Sequence, residues 1–501
     1  MNKKPQINLS KSLFIKALQC PKSLWLKKYK KDVLTPPDSQ TISVLETGNI
    51  VGDLACELFA GGKEVPYEDT TFKEKITLTR QWMDEGVESI YEATFEHDGI
   101  LVMVDILTKC EDGWQIYEVK SSTSLKDVYI HDVAIQHYVL SGCGLKIAKT
   151  SVVLIDNSYI RSDELEVDKL FKIINVDEEV SIYLEDIPTY HDSFVSVLQD
   201  SENEPDVDIG YHCNHPYECD AKEYCWKRQR YIPEYSVFDV FTLGRNSKAL
   251  KLYHDGIVDV KDIPDDFTLT ENQSLAVNSW KMDRAYIDKE KISSFLNNLT
   301  YPIYHLDFET YQEAIPSFKG ITPFEQIPFQ YSLHIEHEDG RLEHREFLAK
   351  KGKDPREQLV ESLVKDIPDG VMLMAYNSSF EKMVLKNLGK SFTKYKEHLD
   401  SYIENIIDLA EPFQKRYYYL PQMKGKYSIK IVLPLLVPDM AKAYKDLSLV
   451  SNGGEAMNTF PILKDMDNEK RAKYREALLE YCKLDTLAMV KVLEKLKKVI
   501  N

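Results

Sequence analysis

Residues 100–120 run Ile100-Leu101-Val102-Met103-Val104-Asp105-Ile106-Leu107-Thr108-Lys109-Cys110-Glu111-Asp112-Gly113-Trp114-Gln115-Ile116-Tyr117-Glu118-Val119-Lys120, and their reading decides the class of the first half of the chain. Ile100 to Leu107 is apolar enough for a buried strand, yet Asp105 interrupts it, where an unpaired carboxylate is costly. Glu111-Asp112-Gly113 is a turn, and Gln115 to Ser121 returns as a second strand. Side chains alternate along a strand, so Glu118 and Lys120 share one face while Val119 points away. Asp105, on the preceding strand, is expected to meet Glu118 across the hairpin. Two converging carboxylates suit a hard divalent cation, and a lysine beside them can orient or polarise an attacking water, the requirement of phosphodiester hydrolysis.

Working outward, Tyr91 to Phe95 and the turn His97-Asp98-Gly99 precede this hairpin. A helix is expected from Leu9 to Lys30, with Ser10 as its cap, and another around Leu45 to Leu58. Helix Tyr129 to Ser141 and strand Thr150 to Ile155 complete an α/β first domain over 1–230. Residues 231–298 carry short polar helices and no acidic cluster, and are expected to form a helical connector. Strands Ile303–Phe308, Phe329–His334 and Arg345–Leu348 then suggest a meander opening a domain over 299–501. Strand Val371–Ala375 and helices Phe380–Asn387 and Glu469–Lys498 follow.

This last domain holds a second acidic set. Asp307 and Glu309 stand two apart on a strand and face one way. Tyr481 and Asp485 stand four apart on a strongly patterned helix and share a face. Between them, Ala375-Tyr376-Asn377-Ser378-Ser379-Phe380-Glu381 reads as a strand end, a polar loop and a capped helix start, with Glu381 in the first turn. Lys430, just before an apolar segment ending at Leu436, is a candidate substrate-facing cation, with a solvated lysine as the alternative.

Four of the eight cysteines are patterned. Cys213, Cys219 and Cys225 form C-x5-C-x5-C, and Cys20 lies far upstream. Three clustered thiols plus a remote one suit a tetrahedral metal site or a four-thiolate cubane. His212 and His215 keep zinc open as the alternative. Cys56, Cys110, Cys143 and Cys482 read as buried free thiols.

At 501 residues the chain is too long for one ordinary core. No apolar run reaches membrane-spanning length, and the N-terminus lacks a signal-type stretch, so the expected location is the cytoplasm, with no membrane partner. The net charge of −18 argues against a protein that coats nucleic acid nonspecifically, while 63 basic residues suffice for a local groove.

The first acidic set resembles the PD-(D/E)XK nucleases of the RecB-like class. Asp105 matches their metal aspartate, Glu118-Val119-Lys120 their E-x-K, and Gln136 the glutamine of the following helix. The chain departs from that pattern at Gly52, where many relatives carry a metal-binding histidine. The cysteines resemble those of the iron–sulfur RecB-like nucleases, which include CRISPR-associated adaptation nucleases and AddB-type helicase–nucleases. That resemblance implies a [4Fe–4S] cluster on Cys20, Cys213, Cys219 and Cys225. The second acidic set resembles the DEDD, or DnaQ-like, 3′→5′ exonucleases on an RNase H-like fold. It implies two Mg²⁺ or Mn²⁺ ions held by Asp307, Glu309, Glu381 and Asp485, with Tyr481 orienting the water; Glu381 replaces the usual aspartate. The whole is similar to an uncharacterised bacterial family that fuses these two domains. The expectation is therefore an α/β protein with a restriction-endonuclease-like domain, a connector and an RNase H-like domain. It would cleave DNA as single strands or ends. RNA processing is the enzymatic alternative, and a non-catalytic nucleic-acid-binding scaffold the alternative of another class.

Overall fold

The computed structural model describes residues 8–243, 247–350 and 352–500. Residues 1–7, most of the stretch on which the lack of a signal-type segment was argued, lie outside the described residues. The chain divides into two compact units, Met1–Tyr231 with Glu313–Phe324, and Ile232–Gln312 with Glu325–Asn501. Both mix helices with mixed sheets, so the class is α/β. Among the described residues no helix is long and apolar enough to cross a membrane.

The first unit is built on a seven-stranded sheet. Its strands are β1 (Leu9–Ser10), β2 (Lys63–Glu64), β3 (Ser89–His97), β4 (Ile100–Cys110), β5 (Gly113–Lys120), β6 (Ile147–Ile155) and β7 (Phe171–Asn175). They lie in the order β2-β3-β4-β5-β6-β7, with β1 added alongside β4. β3, β4 and β5 run antiparallel, and β5 pairs with β6 in parallel. A parallel pair needs a crossover, which helix Asp127–Gly142 supplies. Val133, Ala134, Gln136, Val139 and Leu140 on it are all buried.

The single helix expected over Leu9–Lys30 is two helices, Lys11–Gln19 and Pro21–Tyr29, after the short β1. Proline lacks the N–H of a helical link and pushes the residue before it out of the α region. Cys20 accordingly adopts extended backbone, with φ −162° and ψ 113°. Ser10 does cap, accepting from the Leu13 N–H at 3.3 Å.

The second unit holds β8 (Tyr286–Ile287), β9 (Ile303–Tyr311), β10 (Ile327–Glu336), β11 (Leu342–Leu348), β12 (Met372–Ala375), β13 (Ile406–Asp408) and β14 (Tyr418–Tyr419). Five of them form a sheet in the order β11-β10-β9-β12-β13, and β8 pairs with β14 apart from it. β9, β10 and β11 are the expected meander, while β12 and β13 run parallel to β9. Central β9 sends Leu306 and Phe308 into one apolar core, which leaves Asp307 and Glu309 on the opposite face. The terminal helix, Asn468–Ile500, packs along β9 and β10.

Residues 231–298, expected as a connector, hold helices Ser247–His254, Glu271–Met282 and Lys289–Leu296, and all but Tyr231 fall within the second unit. Ile292 and Phe295 join a core with Ile303, Met374 and Val492. Short amphipathic helices bury too little surface alone and take a neighbour's core.

Candidate active sites and thiol site

In the first unit, β4 and β5 pair with Ile106 opposite Tyr117, which sets Asp105 beside Glu118. Asp105 Oδ2 accepts from the Val119 N–H at 2.6 Å. Glu118, 1 % exposed, accepts from Lys120 Nζ at 2.7 Å and from Gln136 Nε2 at 2.5 Å. All four residues expected here are therefore brought together. Two more join them. Lys11 Nζ donates to both Glu118 oxygens, at 2.7 and 2.9 Å, and Asp132 Oδ2 accepts from Lys120 at 2.7 Å. Burial and the neighbouring Glu118 push the Asp105 carboxyl up to about 7. Burial acts against the Glu118 charge too, but Lys11 and Lys120 outweigh it and hold the carboxyl at about 2. Gly52, on helix Ser39–Ala55, has open space where a side chain would begin.

The four patterned cysteines line one small void with Lys22, Ser23, His212 and Lys222. The helix break delivers Cys20, and the turns around Tyr211–Cys213 and Tyr224–Gln229 deliver Cys213 and Cys225. Gln19 Nε2 ties the two stretches, donating to the carbonyls of His212 and Tyr217 at 2.8 Å each. All four thiols are free. Burial raises the Cys20 thiol, and raises that of Cys225 to about 11. His215 stacks on Tyr211 at 3.7 Å and is not part of the lining.

In the second unit, ligand atoms of Asp307, Glu309 and Cys482 all lie within 4.8 Å of one another. The Cys482 thiol sits 3.6 Å from Asp307 Oδ2. Burial and the adjacent carboxylates hold that thiol far above its usual range, so it is a neutral donor to Asp307. Burial, then the charges of Asp485, Glu309 and Glu381, raise the Asp307 carboxyl well above the carboxylate range. Glu309 is raised by burial and Asp485, with Lys430 opposing. Asp485 is raised by burial, and its Oδ1 accepts from the Tyr444 hydroxyl at 2.6 Å. Tyr481, 4 % exposed, accepts at its hydroxyl from Lys430 Nζ at 3.1 Å. Burial pushes the Glu381 carboxyl up to about 8, and its Oε2 has no hydrogen-bond partner. Glu381 stands outside the tightest group and acts on Asp307 and Glu309 through its charge.

Asp408, at the end of β13, was not singled out from sequence. Its carboxylate accepts from the N–H groups of Asn377, Ser378 and Ala410 at 2.8, 3.1 and 2.9 Å, fixing the loop that leads to Glu381. Asn377 has φ 68°, which asparagine tolerates better than most residues. The start of helix Gly453–Ile462 also reaches the site: a Cβ on Gly453 would lie 3.8 Å from the Tyr481 hydroxyl and 3.9 Å from Glu309 Oε2.

Residues 304–428 match the model of a domain of unknown function (DUF2779). That match takes in Asp307, Glu309, Glu381 and Asp408 and stops short of Lys430, Tyr481 and Asp485. An uncharacterized protein of Ureaplasma parvum, UU173, is 27 % identical over 302 residues, covering 55 % of this chain and 43 % of the relative. Uncharacterized protein MG366 of Mycoplasma genitalium is 24 % identical over 243 residues, covering 44 % of this chain and 36 % of the relative. The chain thus spans less than half the length of these curated relatives.

Proposed function

We propose that this chain is a divalent-metal-dependent nuclease acting on DNA single strands or ends in the cytoplasm. Its first unit is read as a RecB-like PD-(D/E)XK domain and its second as a DnaQ-like, RNase H-like 3′→5′ exonuclease domain. The observation that carries the reading is the crowding of Asp307, Glu309, Asp485 and Glu381: desolvation raises all four carboxyls, and the charges of Asp485 and Glu381 raise Asp307 and Glu309 further. Such a set is costly unless a cation supplies the missing charge. Its donors are oxygens, which hard ions such as Mg²⁺ and Mn²⁺ prefer, and the neutral Cys482 thiol does not compete. The ions would stabilise charge developing at the phosphodiester and activate water. Lys430 donates to the Tyr481 hydroxyl, which in turn hydrogen-bonds the Asp485 carboxylate, so the phenol is held beside the ligand set where it could orient a water.

The first unit offers Asp105 and Glu118 as ligands, with Lys120 and Gln136 orienting Glu118. The thiol site fits a cluster by its chemistry: four free cysteines around one void. Tetrahedral zinc with Zn–S near 2.3 Å would draw sulfurs to about 3.8 Å of one another. A [4Fe–4S] cubane takes four thiolates, the number of cysteines at the void, while His212 beside Cys213 keeps zinc as the alternative. Cys20, Cys213, Cys219 and Cys225 would hold the cluster, as a structural tie.

End-labelled DNA and RNA strands, incubated with wild type, Asp105→Ala and Asp307→Ala, test the reading. The expected result is Mg²⁺- or Mn²⁺-dependent cleavage of DNA, with 3′→5′ shortening lost in Asp307→Ala alone. Faster cleavage of RNA would move the substrate class. No cleavage of either polymer, or cleavage indifferent to both substitutions, would refute the assignment.

A further inference from the structure

Glu118 is the most heavily engaged carboxylate of the first centre. Lys11 Nζ donates to Oε1 at 2.7 Å and to Oε2 at 2.9 Å. Lys120 Nζ adds a bond to Oε1 at 2.7 Å, and Gln136 Nε2 one to Oε2 at 2.5 Å. An ionised carboxylate offers about four lone-pair sites, so every one is taken. The contrast with the second centre is sharp. There Asp307 Oδ2 meets only the weak thiol of Cys482, at 3.6 Å, and among the described residues no lysine or arginine forms an ion pair with Asp307 or Glu309. Nor is Lys11 a wandering surface lysine. It follows β1, whose Leu9 pairs with Ile100 of β4, and it opens the helix capped by Ser10. Its ammonium is thereby held over the strand pair that carries Asp105 and Glu118.

We propose that Lys11 is a resident counter-cation of the first centre, one that a divalent ion must displace from Glu118 before it can bind. This rests on reading that centre as a metal site. The consequence is an order of filling. The second centre, where Lys430 acts on Glu309 and Asp485 through its charge but is bonded to Tyr481 and need not be displaced from Asp307 or Glu309, loads at low metal concentration. The first loads later, because the ion must break the two charge-assisted bonds from Lys11 to Glu118. Lys120 need not move, since it can hold Asp132 while releasing one lone pair of Glu118.

The test is Mn²⁺ binding to the full chain, with the second centre emptied by Asp307→Asn and Asp485→Asn, read from the EPR signal of free Mn²⁺. In that background Lys11→Met should tighten binding on the order of tenfold or more, because two charge-assisted bonds no longer compete. Lys11→Arg, which keeps the cation, should stay near the parent. Glu118→Gln added to Lys11→Met should abolish the gain. Lys11→Gln serves as a second neutral variant, should Lys11→Met fail to give a native circular dichroism spectrum. Unchanged or weaker binding in a folded neutral variant would overturn the proposal, as would a gain that survives Glu118→Gln. A merely structural lysine would give the former. If neither parent nor neutral variant binds Mn²⁺, the reading of this centre as a metal site fails, and the proposal with it.

Discussion

At the scale of single residues, the second centre divides its work between groups that bind charge and groups that orient. Asp307 is a shared ligand in this reading, so Asp307→Ala should eliminate shortening from a 3′ end and lower Mn²⁺ affinity together. Tyr481 contributes only a hydroxyl, held by Lys430. Tyr481→Phe should therefore slow hydrolysis by roughly 10²–10⁴-fold while Mn²⁺ affinity stays at the parental value. Equal rates for Tyr481→Phe and wild type in single-turnover assays would remove the tyrosine from the mechanism. Asp408 makes a different kind of contribution. Asp408→Ala leaves three N–H groups without their acceptor and should cost about 3 kcal/mol in the second unit, measured by urea unfolding. Asp307, Glu309, Tyr481 and Asp485 were legible because their spacing matches strand and helix periods. Lys11, Asp132, Asp408 and Tyr444 were not, since each acts on residues that chain-local periods do not reach. Lys11 and Glu118 are 107 positions apart. Cys482 was read as a buried thiol and is one, but its place against Asp307 needed the helix docked on β9.

At the scale of elements, the terminal helix sets the second site, because Tyr481, Cys482 and Asp485 lie on the stretch packed against β9 and β10. Its next turn meets a histidine pair. Thr486 Oγ1 lies 2.7 Å from His334 Nδ1 and 2.7 Å from Ser332 Oγ, and His344 Nε2 lies 3.0 Å from that same serine oxygen. Burial and the adjacent histidines His344 and His305 hold His334 at about 3, and burial with Lys483 holds His344 at about 4. Glu346, 3.9 Å from His344, is the facing acid. Both histidines thus fold in the neutral form. The stability this gives is present above the unfolded value near 6.5 and is lost as pH falls from there toward 3–4. The unfolding midpoint of the second unit should drop across that window, and His334→Gln should flatten the slope between about pH 6.5 and 4. An identical pH profile in His334→Gln would exclude the pair as its source. The elements themselves were largely visible from periodicity. The break at Cys20 was also written in the sequence, as Pro21, and was hidden by apolar positions that run on through both helices.

At the scale of the whole chain, the thiol site ties stretches of the first unit that are remote in sequence. Gln19 already bridges to His212, 193 positions away. A cluster on Cys20, Cys213, Cys219 and Cys225 closes the same loop covalently, and long closures remove the most freedom from the unfolded chain. Protein purified without oxygen should be brown, with iron and sulfide near four each per chain. Cys219→Ala should lower the unfolding midpoint of the first unit and leave the second unchanged. Stoichiometric zinc without iron would replace the cluster with the alternative metal.

The sequence by itself determined the α/β class, the two acidic sets and the cysteine pattern, because strand alternation, helical spacing and proline are properties of neighbours along the chain. It also marked Asp105 as a carboxylate too costly to be accidental in an apolar strand. Only the tertiary structure decided which charges meet. Two lysines converge on Glu118, whereas Asp307 and Glu309 lie within 4.8 Å of each other and of the Cys482 thiol. It also decided that residues 232–298 join the second unit, through the burial of Ile292 and Phe295. The reason is the same in both cases: pairing of charges and sharing of apolar surface depend on distance in space, and residues far apart in sequence come within reach only once the sheets have formed.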